Sequence, residues 1–453
     1  MRGNSSSDIV FSTSRMSTRL LVSFGVVMEL CYLCLYLAPQ GAGSVLFFLA
    51  VNVAVFLLQS FLVWHLRKGT LARSGENHIL VLLVAFGILF RLTVVPHQVI
   101  GSDDIYRYLW DGKVAASGIN PFTYLPTDPR LAPLASAELP SKVNHPELRT
   151  VYPPLAQALF LVAHLLFGSS AAALKMLLVV LDSGTMLLLL SLVRRSGGSS
   201  LSLLLYAWSP RPVLYFGLDG HIDALALFFL VLSLYYFVTN RPLLGSVAVG
   251  IGGLAKLVPL LIVPLLLRIE RGRRRLALII VPGLILIAGY LIYIEPTWGV
   301  FDALGTFGAR WEFNGSLFSI VYFLSGSNET AHRVSGLMLV AFVGSLTLLD
   351  RPMMEKVFWG FVGFILLSPV VHPWYLTWLA ALLVLRWSGA IFLLLGLSAI
   401  ANIVVYQYRA YGQWVDQPLL LLIEYVPVYV LLVVEAVRGG ILPKSGIARK
   451  VRT

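Results

Sequence analysis

Charged residues are scarce in this sequence, and their scarcity excludes most soluble folds. Only 12% of the 453 residues are charged, whereas 58% are hydrophobic and the mean hydropathy is +0.83. A soluble globular domain carries about 25% charged residues. Apolar runs recur from residue 19 to residue 437 without a polar domain between them. The composition therefore indicates an all-α polytopic membrane protein.

Cysteine is nearly absent as well. Both cysteines, Cys31 and Cys34, lie inside the first apolar run, "ELCYLCLYL", where they serve as small apolar residues. This position argues against a disulfide framework and against a cysteine metal site. The sequence also lacks tandem repeats, low-complexity tracts and a nucleotide-binding Gly-rich loop.

The apolar runs themselves predict the helices. A spanning helix needs about 20 apolar residues, and the runs that meet this length are 19–38, 44–66, 78–97, 170–193, 201–217, 219–238, 276–295, 333–349, 389–406 and 417–437. Two longer runs are interrupted, 243–267 at its Gly-Gly pair and at "AKLVP", and 357–385 at Pro369 and Pro373. We expect each to form a hairpin of short helices. Irregular backbone at membrane depth is tolerated only inside protein or along a cavity, so both breaks point toward a site.

Positive charge predicts the orientation. Most of the 34 Lys and Arg residues fall on one side if the N-terminus is cytoplasmic, as the enrichment of basic residues in cytoplasmic loops requires. The assignment holds only if 152–168 is a helix on the outer surface and not a span. The net charge of +12 is then a topology signal and does not indicate nucleic acid. We expect a multi-pass protein of the plasma (inner) membrane with both termini cytoplasmic.

The outer side then carries one long loop, 98–151, which is too long for a simple connector. Its sequence "GSDDIYRYLWDGKVAASGINPF" places two adjacent acids at the start of a helix-like stretch. If 103–117 is helical, Asp103 pairs with Arg107 four residues later, and Arg107 also faces Asp111.

Asp104 has no basic residue at either helical spacing and is therefore the freer carboxylate. At a low-dielectric boundary we expect its pKa to be raised, which suits a general base. The alternative is that both acids only cap the N-terminus of a helix.

Basic side chains accompany this loop at the outer ends of the predicted spans. Lys256 lies in the broken 243–267 run, and Arg211, Arg310 and His372 lie near other outer ends. Ionisable residues at membrane depth are functional candidates. The alternatives are a snorkelling Arg211, an Arg310 that only occupies a loop and a His372 satisfied in the core.

One carboxylate with several cations suits the transfer of a sugar from a lipid-linked phosphate. The leaving phosphate needs cationic stabilisation, and the acceptor hydroxyl needs a base. Hydrolysis of an ordinary glycosidic bond usually needs two carboxyl groups. Direct displacement with a single base would invert the anomeric centre.

The motifs "DDIYRYLWDGKVAASGINPF", "VNHPELRTVYPPLAQALF", "GHIDALALFFLVLSLYYF", "GLAKLVPLLIVPLLL" and "LLSPVVHPWYLTWL" resemble the C-type (GT-C) superfamily of membrane glycosyltransferases. They are most similar to bacterial polyprenol-phosphate-mannose-dependent mannosyltransferases, from about residue 80 to residue 436. The resemblance implies a GT-C fold with about 12–14 transmembrane helices and extracytoplasmic juxtamembrane helices in the first outer loop. It implies a catalytic acid at Asp104, with Asp103 as the alternative.

The resemblance also implies the phosphate side of the site, with donor phosphate contacts expected from Lys256, Arg310, Arg211 and His372. Apart from the resemblance, the positions of further residues beside the acid pair or at outer ends of spans make them candidates for substrate contacts: Tyr106, Tyr108, Trp110, His145, Tyr152, His221, Asp223 and Trp374. The alternative at the start of the 219–238 run is simple helix capping by Asp219 or Asp223. No metal ligand is predicted, and no cofactor is certain, although a divalent cation stays open.

Together these features predict a polytopic glycosyltransferase that moves a sugar, above all mannose, from a polyprenyl phosphate to an extracytoplasmic glycolipid or glycan. Its partners are the lipid-linked sugar, the acceptor and the bilayer, and no nucleic acid. The predicted parts are two additional helices with the N-terminus (1–77), the GT-C domain (78–437) with its catalytic outer loop (98–169), and a basic tail (438–453). The rival is a lipid or solute transporter or flippase. Many transporters show two related halves, and the absence of such a repeat from this sequence favours the enzyme.

Overall fold

The computed structural model describes residues 18–67, 76–268, 270–294 and 299–439. The predicted cytoplasmic N-terminus and almost all of the basic tail lie outside these residues. The first helices are α1 (Thr18–Cys34), α2 (Gly43–Arg67), α3 (Glu76–Val94), α4 (Asp104–Ala116) and α5 (Pro154–Phe167). The middle of the chain forms α6 (Ala171–Arg195), α7 (Leu204–Ala207), α8 (Pro210–Pro212), α9 (Asp223–Val238), α10 (Pro242–Ala255), α11 (Ile262–Leu266) and α12 (Arg273–Leu291).

The remaining helices are α13 (Asp302–Arg310), α14 (Leu317–Ser325), α15 (Asn328–Leu348), α16 (Met353–Leu367), α17 (Thr377–Leu385), α18 (Gly389–Leu397), α19 (Asn402–Tyr411) and α20 (Pro418–Val437). Short 3₁₀ turns occupy Leu35–Leu37, Pro129–Leu134, Ser200–Leu203, Val258–Leu261, Gly299–Phe301, Pro373–Leu376 and Ser398–Ala401, and Val213–Leu218 is a π-helix. Within the described ranges the regular structure is helical, apart from one isolated β-bridge between Phe313 and Val370.

Eight helices in the described part of the chain are long and apolar enough to cross a membrane. They are Thr18–Leu37, Gly43–Arg67, Asn77–Val94, Ala171–Arg195, Arg273–Leu291, Asn328–Leu348, Gly389–Tyr411 and Pro418–Val437. Each coincides with a predicted run, which confirms an all-α polytopic membrane protein. The predicted span 219–238 is present only as the shorter α9.

The prediction of one continuous span over 201–217 is wrong. This stretch is divided into a 3₁₀ turn, α7, α8 and the π-helix, and it is fully surrounded by protein. Pro210 lacks the N–H that would continue the preceding helix and instead begins α8, which Ser209 caps by accepting from the Arg211 N–H.

The two interrupted runs are confirmed as broken helices, with one difference. In 357–385, α16 ends at Leu367 and regular helix resumes only at Pro373. In 243–267, α10 continues through the Gly-Gly pair and ends at Ala255, and Lys256 follows in extended conformation (φ −161°, ψ 141°). The predicted break at the glycines is wrong because Gly252 and Gly253 serve helix packing: a Cβ on Gly252 would lie 3.1 Å from the Phe229 side chain.

Helices α4 and α5, which lie in the predicted outer loop 98–169, pack closely against each other. Tyr108 stacks on Phe160 with ring centroids 4.6 Å apart and an interplanar angle of 7°. Gly112 allows this approach, because a Cβ there would lie only 2.4 Å from the Phe160 carbonyl oxygen. The pairing holds the acid pair at the start of α4 in a fixed position.

Candidate active site

The two acids occupy different structural positions at the start of α4. Asp103 is the exposed residue before the helix (φ −109°, ψ 8°), and Asp104 is its first helical residue. The predicted Asp103–Arg107 pair is wrong, because Asp103 precedes the first helical turn and the four-residue spacing does not apply to it. Arg107 instead places Nε 3.4 Å from Asp111 Oδ1, as predicted, and donates to the Leu148 carbonyl at 2.5 Å.

Asn144 joins the two carboxylates. Its Nδ2 donates to Oδ1 of Asp104 at 2.7 Å and to Oδ1 of Asp103 at 3.0 Å. The next residue, His145, has a left-handed backbone (φ 46°). Asn144 therefore lies in a sharp turn that brings the far end of the outer loop back to the start of α4.

Asp104 has a second neighbour in the loop before α9. Nδ1 of His221 lies 3.5 Å from Oδ2 of Asp104, and the His221 side chain is 1% exposed against 20% for that of Asp104. Asp104 is thus held between Asn144 of the 98–151 loop and His221 of the loop before α9. The prediction that Asp104 is the freer carboxylate considered only helical spacing, whereas its neighbours come from distant parts of the chain.

The surroundings shift the pKa values of the two acids in opposite directions. Burial would raise the pKa of Asp104, but the interaction with His221 and the hydrogen bond from Asn144 outweigh it and lower the pKa to about 2. Partial desolvation and the adjacent Asp104 charge raise the pKa of Asp103. The predicted raised pKa is therefore wrong for Asp104 and applies to its neighbour. Asp104 is an ionised carboxylate throughout the physiological range.

Asp219 fixes the backbone of Ile100 and Gly101, which precede the acid pair. Its Oδ1 accepts from the backbone N–H groups of Ile100 at 2.9 Å and Gly101 at 3.0 Å. A Cβ at position 101 would lie 2.5 Å from Asp219 Oδ2, so this contact requires glycine. Lys175 adds a hydrogen bond from Nζ to the His97 carbonyl at 2.7 Å.

A column of four rings extends from Asp104 into the C-terminal part of the chain. His221 stacks on Trp374 (3.9 Å, 17°), Trp374 stacks on His372 (4.2 Å, 6°), and His372 stacks on Phe313 (4.8 Å, 28°). The Phe313–Val370 bridge aligns the last two rings, with the Phe313 N–H donating to Pro369 at 3.0 Å. Burial lowers the pKa of His372 to about 3, so this imidazole is neutral.

Lys256 lies beside the column. Its Nζ contacts both carboxylate oxygens of Asp223, at 2.8 and 2.9 Å, and lies 4.1 Å from the centre of the Tyr375 ring. Trp378 Nε1 donates to the same carboxylate at 3.0 Å. The Lys256 side chain keeps 23% exposure, whereas Asp223 keeps 1%. The helix break after α10 thus presents a partly open ammonium group.

The structure brings Asp104, Asp103, His221, His372, Trp374, Lys256 and Asp223 into one cluster. Arg211 is not part of it, because its buried guanidinium donates from Nε to the Leu395 carbonyl at 2.8 Å and from NH1 to the Tyr215 hydroxyl at 3.3 Å. Arg310 is exposed at the end of α13.

Of the predicted aromatic substrate contacts, some lie near the cluster and others lie away from it. Tyr108 and Trp110 are buried, and Tyr152 packs edge-on against Tyr108 with centroids 4.8 Å apart. Tyr106 lies under Lys142, whose Nζ is 5.1 Å from the ring centre. His145 is exposed and contacts Trp311 edge-on at 4.8 Å. Of these five, Tyr108 and Tyr152 lie close enough to Asp104 for its charge to act on their hydroxyl groups.

Sequence reasoning missed Asn144, Asp219, Tyr375 and Trp378. Asn144 lies in the motif "VNHPEL" directly before His145, but a single loop asparagine follows no spacing rule that would single it out. Among the described residues, no group of three or more His, Cys, Asp or Glu is placed to hold a metal ion.

The cluster combines an ionised carboxylate, a neutral imidazole, an aromatic wall and a partly exposed ammonium group. No curated protein and no solved structure matches the chain. The model of the MptA_B family, described as alpha-(1->6)-mannopyranosyltransferase, N-terminal domain, matches residues 14–270. That range is more than half of the chain, and it includes α1, α2 and the acid pair. The chain therefore belongs to this family of membrane mannosyltransferases.

Proposed function

We propose that this protein transfers mannose from a polyprenyl phosphate to a hydroxyl of an extracytoplasmic glycolipid or glycan, with inversion at the anomeric carbon. The observation that carries the proposal is the short path from the Asp104 carboxylate to the Lys256 ammonium. It passes through His221 and Trp374 to Tyr375, the ring against which Lys256 rests.

In this proposal Asp104 is the general base. It is one-fifth exposed, ionised and fixed by Asn144, so it can accept the proton of an acceptor hydroxyl. A carboxylate with a pKa of about 2 is a weak base before the reaction, and the hydroxyl becomes acidic only as its oxygen bonds to the sugar carbon. The base therefore acts in the transition state, where general-base catalysis contributes about 10²–10⁴-fold.

Lys256 supplies the charge on the phosphate side. A donor phosphate would share its ammonium group with Asp223, as the partial exposure of Lys256 permits. Neutral His372 would contribute a hydrogen bond and no charge. Exposed Arg310 could join from the second outer loop, whereas Arg211 would have to leave its buried contacts. Cations at these positions would stabilise the charge that develops on the leaving phosphate.

The predicted orientation places the acid pair on the extracytoplasmic side of the plasma (inner) membrane. The preparation must therefore expose that face. Membranes carrying the wild-type protein, Asp103→Asn or Asp104→Asn would receive polyprenyl-phosphate [³H]mannose and a panel of glycolipid acceptors in inside-out and right-side-out vesicles. We expect label to enter an acceptor from the extracytoplasmic face, and Asp104→Asn to lower the rate by about 10²–10⁴-fold.

Asp103→Asn serves as the matched control, since it removes an adjacent carboxylate of the same size and leaves Asp104 in place. Loss of transfer only in Asp103→Asn would assign the base to that residue. Absence of transfer from every lipid-linked sugar, together with movement of labelled lipid between leaflets, would replace the proposal by a flippase.

A further inference from the structure

The imidazole of His221 is buried and has no hydrogen-bond partner in the part of the chain that the structure describes. It is 1% exposed, and neither of its ring nitrogens forms a hydrogen bond within the described residues. A buried polar group of this kind destabilises the fold if it stays unsatisfied. The main chain nevertheless fixes it firmly: Gly220 has φ 75°, and the His221 N–H donates to the Tyr215 carbonyl at 2.9 Å.

The ring is also fixed in its orientation. Trp374 stacks on one face at 3.9 Å, and Tyr215 lies near it with centroids 6.1 Å apart. In this orientation Nδ1 lies 3.5 Å from Asp104 Oδ2. The distance is longer than an ordinary hydrogen bond. Catalytic hydrogen bonds are often long before substrate binds and shorten in the reacting complex.

We propose that His221 is a positioning residue for Asp104, and that its Nδ1–H closes onto Oδ2 when substrate is bound. The inference rests on the proposed function, in which Asp104 is the base. Asn144 already holds Oδ1 at 2.7 Å. With both oxygens held, the carboxylate is fixed in rotation and directs a remaining lone pair at the acceptor hydroxyl.

The proton balance leaves His221 unchanged. The acceptor O–H gives its proton to Asp104, its oxygen bonds to the anomeric carbon, and the bond from that carbon to the phosphate oxygen breaks. The electron pair of the broken bond leaves with the polyprenyl phosphate. His221 keeps its proton and stabilises the charge of Asp104 before transfer.

Several other ionisable groups face this pair. Asp103, His372, Tyr108, Tyr152 and Tyr375 act electrostatically on or with Asp104, and Asp219 and His372 act on His221. A pH profile of the wild-type protein alone would therefore combine many contributions. The difference between two variants at position 221 isolates the contribution of the imidazole.

The test compares His221→Phe with His221→Gln. Phenylalanine keeps the stack on Trp374 but has no N–H, whereas glutamine has an amide N–H that can reach a carboxylate. We expect His221→Phe to lower kcat by about 10–100-fold, the worth of a hydrogen bond to a charged group, with KM for the acceptor changed less than about twofold. Without His221 the desolvation of Asp104 is opposed less strongly, so its pKa rises and the acidic limb of kcat moves to higher pH.

His221→Gln should restore part of kcat and part of the acidic limb. His78→Phe, at an exposed position, is the control for the substitution itself. Equal loss of transfer at every pH in both variants, with less folded protein in the membrane, would overturn the inference in favour of a packing role.

A second readout does not depend on transfer. Carbodiimide reacts with protonated carboxyl groups, so labelling of Asp104 at about pH 5, followed by mass spectrometry, reports its ionisation. We expect His221→Phe to increase labelling of Asp104 several-fold over the wild type, as a pKa raised toward the labelling pH implies. Unchanged labelling would overturn the inference even if mannose transfer were absent, whereas increased labelling without transfer would count against the proposed function alone.

Discussion

The Lys256 ammonium group contacts both oxygens of the Asp223 carboxylate, at 2.8 and 2.9 Å, across the break that ends α10. Asp223 is the first residue of α9 and is almost fully buried. A carboxylate at a helix N-terminus is stabilised by the helix dipole. Lys256 and Trp378 supply its remaining partners. The pair joins two helices, and it also holds the cation that the donor phosphate would meet.

Loss of Lys256 should therefore affect stability and transfer together. Lys256→Met leaves the Asp223 charge buried, with the hydrogen bond from Trp378 still in place, and breaking a buried pair from one side costs about 3–5 kcal/mol. We expect a lower midpoint of thermal unfolding in detergent and loss of mannose transfer.

The double variant Lys256→Met with Asp223→Leu separates these two effects. Removing both charges should recover most of the unfolding midpoint, because no buried charge is left unpaired. Transfer should stay low, because the cation is still missing. Recovery of transfer in the double variant would show that Lys256 serves only to neutralise Asp223.

His372 should contribute a neutral hydrogen bond. Its pKa of about 3 keeps it uncharged from pH 5 to pH 8, so protonation of His372 should not shape the pH profile in that range. His372→Phe preserves the stack between Trp374 and Phe313, and we expect it to raise the donor KM about tenfold through the lost hydrogen bond to a charged group.

His372→Gln is the companion variant, since it retains a neutral donor but loses the stack. A donor KM that is unchanged in His372→Phe and raised in His372→Gln would assign His372 to packing of the ring column alone.

Arg211 should behave as a structural residue. Arg211→Met removes the hydrogen bonds to the Leu395 carbonyl and to the Tyr215 hydroxyl, and an unsatisfied buried acceptor costs about 1–3 kcal/mol. We expect a lower unfolding midpoint and, in the folded fraction, a donor KM within about twofold of the wild-type value. A tenfold higher donor KM at an unchanged unfolding midpoint would instead assign Arg211 to the donor phosphate site.

Gly101 should tolerate no side chain. Gly101→Ala would place Cβ 2.5 Å from Asp219 Oδ2, which must then release the backbone N–H groups before the acid pair. Loss of these buried hydrogen bonds costs about 1–3 kcal/mol, and we expect transfer to fall by at least about tenfold. Gly308→Ala is the control, because a Cβ there meets no atom within 4 Å. Equal activity of the two alanine variants would contradict the role of the Asp219 hydrogen bonds in fixing the residues before the acid pair.

Local sequence patterns predicted the long helices and the two proline-broken runs, because both depend on hydrophobicity and backbone chemistry within a short stretch. The same reasoning failed at Asp103, where one residue decides whether a side chain lies in the helix or before it. It also failed over 201–217, whose apolar composition fits a span although Pro210 divides it.

The contacts that define the site lie far apart in the chain. Asn144 reaches Asp104 across 40 residues, and Trp378 reaches Asp223 across 155. No periodicity links such positions, so the sequence could nominate His221 and Asp223 but not their partners. The low pKa of Asp104 follows from partners of this kind, so the sequence could not predict it either.

The ring column has a consequence for dividing this protein into pieces. Asp104, His221 and Lys256 lie within residues 14–270, the range that the family model matches, whereas Trp374, His372 and Phe313 lie beyond it. A fragment ending at residue 270 would carry the proposed base and the proposed phosphate-binding cation but not the ring of Trp374 on which His221 stacks. Two separately expressed fragments would regain a working site only by reassembling. Activity of the mixed fragments would therefore report whether the ring column has formed again.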